Sequence, residues 1–185
     1  MRKDHATKRL GFTLVELIFT LAVLAVLVSI GAPSLASFIQ STQSRSARSA
    51  LIGSLNLARM TAVSAQRSVI VCPSADHARC DDSLAWQRGW IVFEDSNQNN
   101  KRDEDEPLLE VVGVQPGVAI SSTAGRKYVR YRPDGSASGT DLTYTVCDRR
   151  GPNAAAAIVV NNPGRVREIQ PDPARAASVC ASLGK

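Results

Sequence analysis

Lys8-Arg9-Leu10-Gly11-Phe12-Thr13-Leu14-Val15-Glu16 is the stretch that decides the architecture of this 185-residue chain. A basic leader ends in Gly11, and an apolar run from Phe12 to Pro33 begins, broken by one carboxylate, Glu16. Between Phe12 and Gly31 only Thr13, Glu16, Thr20 and Ser29 are polar. A helix rises about 1.5 Å per residue, so about 20 apolar residues cross a membrane and this run just suffices. Arg2, Lys3, Lys8 and Arg9, against Asp4, place the leader on the cytoplasmic side. A carboxylate inside such a helix is costly unless something neutralises it, so Glu16 implies a partner for its charge.

Beyond the apolar run, the residues from Ser34 to about Arg67 continue as a helix of a different kind. Leu35, Phe38, Ile39, Ala47, Leu51, Ser54, Ala58, Ala62 and Ala65 recur at spacings of three and four. This is one stripe of a helix, and its small side chains suit close packing on a sheet. Arg45, Arg48, Arg59 and Arg67 fall mostly off the stripe. Pro33 removes a helix hydrogen bond, so a kink or local weakness is expected there.

After Ser68 the pattern changes from helix to strand. Short β-type runs are Val69–Cys72, Trp90–Phe93, Leu108–Val112, Val118–Ile120, Tyr128–Tyr131, Leu142–Cys147, Ala157–Val160 and Val166–Ile169. Gln115-Pro116-Gly117, Pro133-Asp134-Gly135, Arg150-Gly151-Pro152 and Asn162-Pro163-Gly164 supply turn signals. Strands in series with no helical stretch between them predict two antiparallel sheets. The fold class is therefore α+β, a long N-terminal α-helix packed on a β-rich globular domain. Its segments are a leader (1–11), a membrane or filament-core helix (12–33), an amphipathic half-helix (34–67) and the β-rich domain with its C-terminal tail (68–185).

The formal net charge is +5. The leader carries four cations and one anion, so residues after Gly11 hold only about two of those charges. Acidic residues crowd into Glu94–Glu110, whereas basic ones crowd into Arg126–Arg132 and Arg149–Arg167. Such asymmetry suggests an anionic partner. Cys72, Cys80, Cys147 and Cys180 all follow the apolar segment, on the oxidising side of the membrane, where disulfides form. Three connectivities are open. Cys72–Cys80 closes a short loop and is preferred, which leaves Cys147–Cys180 to tie down the tail. A metal site built on Cys72, His77 and Cys80 is disfavoured, because it lacks a fourth ligand and its thiols are exposed to oxidation.

The Gly11-Phe12-Thr13-Leu14-Val15-Glu16 junction closely resembles the N-terminus of type IV prepilins and type II secretion pseudopilins. The resemblance implies that a prepilin peptidase cuts after Gly11 and methylates the amine of Phe12. It also implies that Glu16 meets the N-terminal amine of a neighbouring subunit during filament assembly. Unlike a secretory signal, the leader is removed ahead of the apolar helix, which stays in the product. Trp86-Gln87-Arg88-Gly89-Trp90, Tyr131-Arg132-Pro133-Asp134-Gly135 and Gly164-Arg165-Val166-Arg167 resemble blocks of the GspH/FimT group of minor pilins, on its FimT-like side. The resemblance implies other pilins as partners. It also implies inner-membrane anchoring with a periplasmic domain before assembly, and exposure on the pilus or cell surface afterwards.

Two further constellations carry chemistry. Asp95, Asn97, Asn99, Asp103 and Glu106 fit the oxygen spacing of a twelve-residue calcium loop. Asn100 replaces the usual Gly and no helix precedes, so a polar hairpin loop is the preferred reading and no metal or cofactor is expected. Gly164, Arg165 and Arg167 are the sharper candidates. In an extended segment Arg165 and Arg167 share a face, and two guanidiniums can fork onto successive phosphates. Weak, non-sequence-specific DNA binding follows from such contacts. Arg126, Lys127 and Arg130 are further candidates, whose face the sequence does not fix. Trp86 and Trp90 are assigned to the core. No nucleophile elbow, phosphate loop or paired acid motif appears, so the protein is not read as an enzyme. The function expected is a minor type IV pilin that helps capture DNA for natural transformation, with a type II secretion pseudopilin of the GspH kind as the alternative.

Overall fold

The computed structural model describes residues 13–137, 139 and 141–183. Helix α1 (Leu14–Ala65) is followed by β1 (Val69–Pro73), β2 (Trp90–Glu94), β3 (Leu108–Val112), β4 (Val118–Ser122), β5 (Val129–Tyr131), β6 (Leu142–Asp148), β7 (Ala156–Val160), β8 (Val166–Ile169) and α2 (Pro173–Cys180). By internal contacts the chain divides after Phe38, and the strands, α2 and the second half of α1 all fall in the unit from Ile39 onward. All eight strands anticipated from the sequence are present.

The N-terminus of α1 is capped locally, since Thr13 Oγ1 accepts a hydrogen bond from the Glu16 N–H at 3.2 Å. The helix continues through Pro33. An 18-residue window of α1 reaches a mean hydropathy of 2.5 with none of it buried, which is long and apolar enough to cross a membrane. The second half buries Ser44, Ala47, Leu51, Ser54, Leu55, Ala58 and Ala62, at the spacing of one helical face. Gln66 closes the helix in a left-handed conformation (φ 54°).

Two four-stranded antiparallel sheets follow, with strand orders β3-β2-β1-β5 and β4-β6-β7-β8. Both contribute to one core with α1: Val69, Val71, Trp90 and Val92 from the first sheet, and Ile120, Tyr144, Val146 and Ile158 from the second. Trp86 and Trp90 are fully buried. Trp86 meets Tyr144 edge to face at 4.8 Å, and Trp90 Nε1 donates to Ser54 Oγ at 2.8 Å.

The central strands are buried on both faces, so each sheet needs an outer cover. In the first sheet, Ile70, Cys72, Ile91 and Phe93 turn outward and pack against Cys80, which is disulfide-bonded to Cys72. In the second, Ala119 and Cys147 pack against Ala176 and Val179 of α2, which the Cys147–Cys180 bond fastens. This last segment, expected from the sequence to be a tail, is thus a short helix. Its helical signal was present but short: Asp172 accepts from the Arg175 N–H at 2.9 Å as N-cap, and Pro173 takes the first helical position.

Candidate functional site

Gly11 and Phe12, the expected cleavage and methylation positions, lie outside the described residues. Glu16 is exposed in the first turn of α1. Among the described residues nothing pairs with its carboxylate.

Gly164, Arg165 and Arg167 are brought together in the hairpin that joins β7 to β8. The Gly164 N–H donates to the Asn161 carbonyl (2.7 Å), the Arg165 N–H to Asn161 Oδ1 (2.8 Å), and the Asn161 N–H to the Arg165 carbonyl (3.2 Å). Gly164 is buried and left-handed (φ 79°), and a Cβ there would approach the Gly135 carbonyl oxygen closer than 3.0 Å. Its role is therefore close approach to the Pro133-Asp134-Gly135 turn, which fits only a residue without a side chain. Arg59 of α1 reaches across both turns, with Nε donating to the Gly135 carbonyl (3.0 Å) and Nη2 to the Pro163 carbonyl (3.1 Å). Reading the sequence missed this clamp, because it joins segments far apart in the chain.

β8 is an edge strand, paired on one side only, to β7. Val166 turns inward against the core, while Glu168 pairs with Arg48 of α1. Arg165 and Arg167 alternate with these residues and are exposed. Among the described residues neither guanidinium has a hydrogen-bond or ion-pair partner. Two unpaired cations on one face of an exposed edge can bind an anionic polymer and also discourage edge-to-edge association.

Three other cations of the basic clusters pair with carboxylates. Arg150 Nη2 holds Asp148 at 2.7 Å, Lys127 pairs with Asp82, and Arg130 pairs with Asp95 at 3.2 Å. Burial pushes the Asp148 carboxyl up. The hydrogen bonds and charge of Arg150 outweigh this and hold it below its ordinary value. Asp134, in the turn that Gly164 approaches, is lowered by hydrogen bonds from the Ser136 hydroxyl and N–H.

The Asp95–Glu106 loop connects β2 to β3, and its oxygens already have donors. Buried Asp95 accepts from the N–H groups of Asn99 (3.0 Å) and Asn100 (3.3 Å) and faces Arg130. Glu106 accepts from Ser96 N–H (2.7 Å) and Asp103 N–H (3.1 Å), and the side-chain amides of Asn97 and Asn99 donate to Asp103 (2.7 and 2.8 Å). Asn100 is left-handed (φ 62°) at the position where Gly is usual. These contacts describe a self-satisfied hairpin loop. Among the described residues no three His, Cys, Asp or Glu side chains are grouped as metal ligands.

Residues 47–164 match the family described as type II transport protein GspH, and residues 7–32 match the prokaryotic N-terminal methylation motif. The fold is shared with the type IV minor pilin FimU of Pseudomonas aeruginosa: 16% identity, TM-score 0.58, covering 77% of this chain and 98% of that one. It is also shared with the minor pseudopilin EpsH from the type 2 secretion system of Vibrio cholerae: 11% identity, TM-score 0.50, covering 70% and 98%. No curated protein is significantly similar in sequence.

Proposed function

We propose that this chain, which belongs to the GspH family and is a minor pilin or pseudopilin, works in a type IV pilus and captures DNA through Arg165 and Arg167. It is a structural subunit, not an enzyme. In this reading the chain is cut after Gly11, Phe12 is methylated, and the domain waits on the periplasmic side of the inner membrane. Assembly withdraws α1 from the membrane as Glu16 meets the amine of a neighbour. Pairing the two charges relieves the cost of burying either alone.

The observation that carries the DNA reading is the pair of exposed guanidiniums, unpartnered among the described residues, at and just before the start of an edge strand and held by a hairpin that Gly164 and Arg59 lock to the domain. Binding by so few contacts is weak and indifferent to sequence, with Kd about 10⁻⁴–10⁻⁶ M at physiological salt. The test is anisotropy of a labelled duplex with the full chain in non-ionic detergent. Arg165→Gln plus Arg167→Gln should nearly abolish binding and flatten the salt slope by about 0.9 per lost phosphate contact. A folded double variant with unchanged affinity and slope refutes the DNA role.

The second reading, a pseudopilin of a type II secretion pseudopilus, is supported by the description of the matching family. Deleting the gene separates the two. Loss of transformation with secretion intact supports the pilus, and the reverse supports the secretion system.

A further inference from the structure

In the unit from Ile39 onward, the first turns of α1 meet the ends of β4 and β6. Gln43 lies against Gly117, where an added Cβ would collide with its side-chain amide. Gly117 leads into β4, whose Val118 pairs with Asp148 at the end of β6. The Ser44 hydroxyl faces the Asp148 carboxylate, and the Ser44 carbonyl accepts from Arg48 Nε at 3.3 Å. On the other side of Gly117, the Gln115 N–H donates to the Gln87 carbonyl at 2.8 Å, just before β2.

Each of these contacts has an arginine beside it. Arg45 follows Ser44, Arg88 follows Gln87 and Arg149 follows Asp148. All three are exposed, and among the described residues none of their guanidiniums has a hydrogen-bond or ion-pair partner. The carboxylates bonded into the same end, Asp148 and Glu168, are taken up by Arg150 and Arg48. The charges of Arg45, Arg88 and Arg149, on a helix, a loop and a turn, therefore stand unneutralised by any ion pair. They mark the end at which α1 enters this unit.

About 20 helical residues cross the roughly 30 Å of hydrocarbon in a bilayer. A span begun at Leu14 therefore leaves Leu35, Phe38 and Ile39, all exposed, at headgroup level. Arg45 follows Ile39 on the same helix after about 9 Å of rise. That is close to the Debye length of about 8 Å at physiological ionic strength, and a flexible arginine stem reaches back toward the interface. Cations spread over separate segments suit many mobile anions in a plane better than a single bound ion.

We infer that Arg45, Arg88 and Arg149 seat the domain on anionic phospholipid headgroups of the leaflet from which α1 emerges, before assembly. The contact orients the domain while the subunit waits, and it is given up when α1 is withdrawn. The inference rests on the membrane stage of the proposed function and not on its DNA step, so unchanged duplex affinity in Arg165→Gln plus Arg167→Gln leaves it standing.

The test reconstitutes the full chain in phosphatidylcholine vesicles. These carry a trace of a headgroup-photoreactive phosphatidylglycerol, or of its phosphatidylcholine counterpart, and cross-linked peptides are mapped by mass spectrometry. Peptides holding Arg45, Arg88 and Arg149 should be labelled several-fold more by the anionic probe, with the excess lost at about 1 M salt, where the Debye length is about 3 Å. Arg45→Gln or Arg149→Gln alone should lower the excess at its own peptide about fivefold, the equivalent of about 1 kcal/mol per basic residue at an anionic surface. Arg45→Gln, Arg88→Gln and Arg149→Gln together should remove it at all three, while leader peptides, with their own cations, keep theirs. The three positions are exposed, so the unfolding midpoint should not move, and the single variants carry the test if the triple variant is unstable. Equal labelling of these peptides by both probes, or an excess that survives the triple variant, overturns the inference. Loss of duplex binding in the triple variant without any lipid excess would assign the three cations to nucleic acid and overturn it as well. A chain that sediments free of both kinds of vesicle refutes the membrane stage itself, and the inference with it.

Discussion

Gly164→Ala tests whether the hairpin that presents the two arginines is built by steric necessity. Two costs add. The first is conformational, because Gly164 sits at φ 79° and a left-handed residue with a Cβ costs about 1–2 kcal/mol. The second is steric. The new Cβ meets the Gly135 carbonyl oxygen inside 3.0 Å, with Arg59 Nε at 3.1 Å behind it. The obstacle is backbone in another turn, so relief means moving the hairpin, the Pro133–Gly135 turn, or both. Overpacking of this kind costs about 1–3 kcal/mol. The sum is about 2–5 kcal/mol, a large share of the roughly 5–15 kcal/mol that holds a domain folded. At about 2–4 °C per kcal/mol for a chain of this size, the unfolding midpoint should fall by roughly 4–20 °C. Arg165→Gln and Arg167→Gln, exposed and unpartnered, should each leave the midpoint within about 1 °C. Differential scanning calorimetry measures all three. A Gly164→Ala variant as stable as the parent would refute the close-approach argument. A destabilised Arg165→Gln variant would show that the arginine carries structure rather than binding.

Three other outcomes are expected. Ser54→Ala leaves the buried Trp90 N–H without its acceptor and should cost about 1–3 kcal/mol in denaturant unfolding; an unchanged midpoint would mean that this bond contributes nothing. Asp148 and Asp134 are held below the ordinary carboxylate value of 3.8, so their contribution is complete above that value and is lost as pH falls through and beneath it. Urea melts should weaken on going from about pH 5 to pH 2–3, and Asp148→Asn should lower stability at neutral pH and flatten that decline; a parallel decline in the variant contradicts the assignment. Glu16→Leu should still be processed after Gly11 yet be missing from sheared filaments, read by intact mass and immunoblot. Normal incorporation would remove Glu16 from the assembly step.

The parts of this structure legible in sequence are those whose signal is local. Eight short β-type runs bounded by turn residues became eight strands. Of the stripe from Leu35 to Ala65, Ala47, Leu51, Ser54, Ala58 and Ala62 became the buried face of α1, whereas Leu35, Phe38, Ile39 and Ala65 are exposed. α2 escaped because eight residues are too few to display a period, leaving only the Asp172-Pro173 start signal. Gly164 stands in the sequence only as part of the Gly-Arg-x-Arg candidate, whereas its neighbour across the fold, Gly135, is what requires the missing side chain. Arg59 lies 76 residues from the Gly135 carbonyl and 104 from that of Pro163, and no spacing rule reaches so far. The calcium-like spacing was visible from Asp95 to Glu106, but Arg130, 35 residues from Asp95, was not part of the pattern.

The two disulfides span 8 and 33 residues, and for a chain delivered N-terminus first this makes them different events in time. Cys72–Cys80 can be oxidised before β2 has emerged. Cys147–Cys180 closes only after β6, β7, β8 and α2 have all been delivered and α2 has found the outer face of the second sheet. A free thiol at either of these last two cysteines is thus a chemical mark of an unfinished subunit.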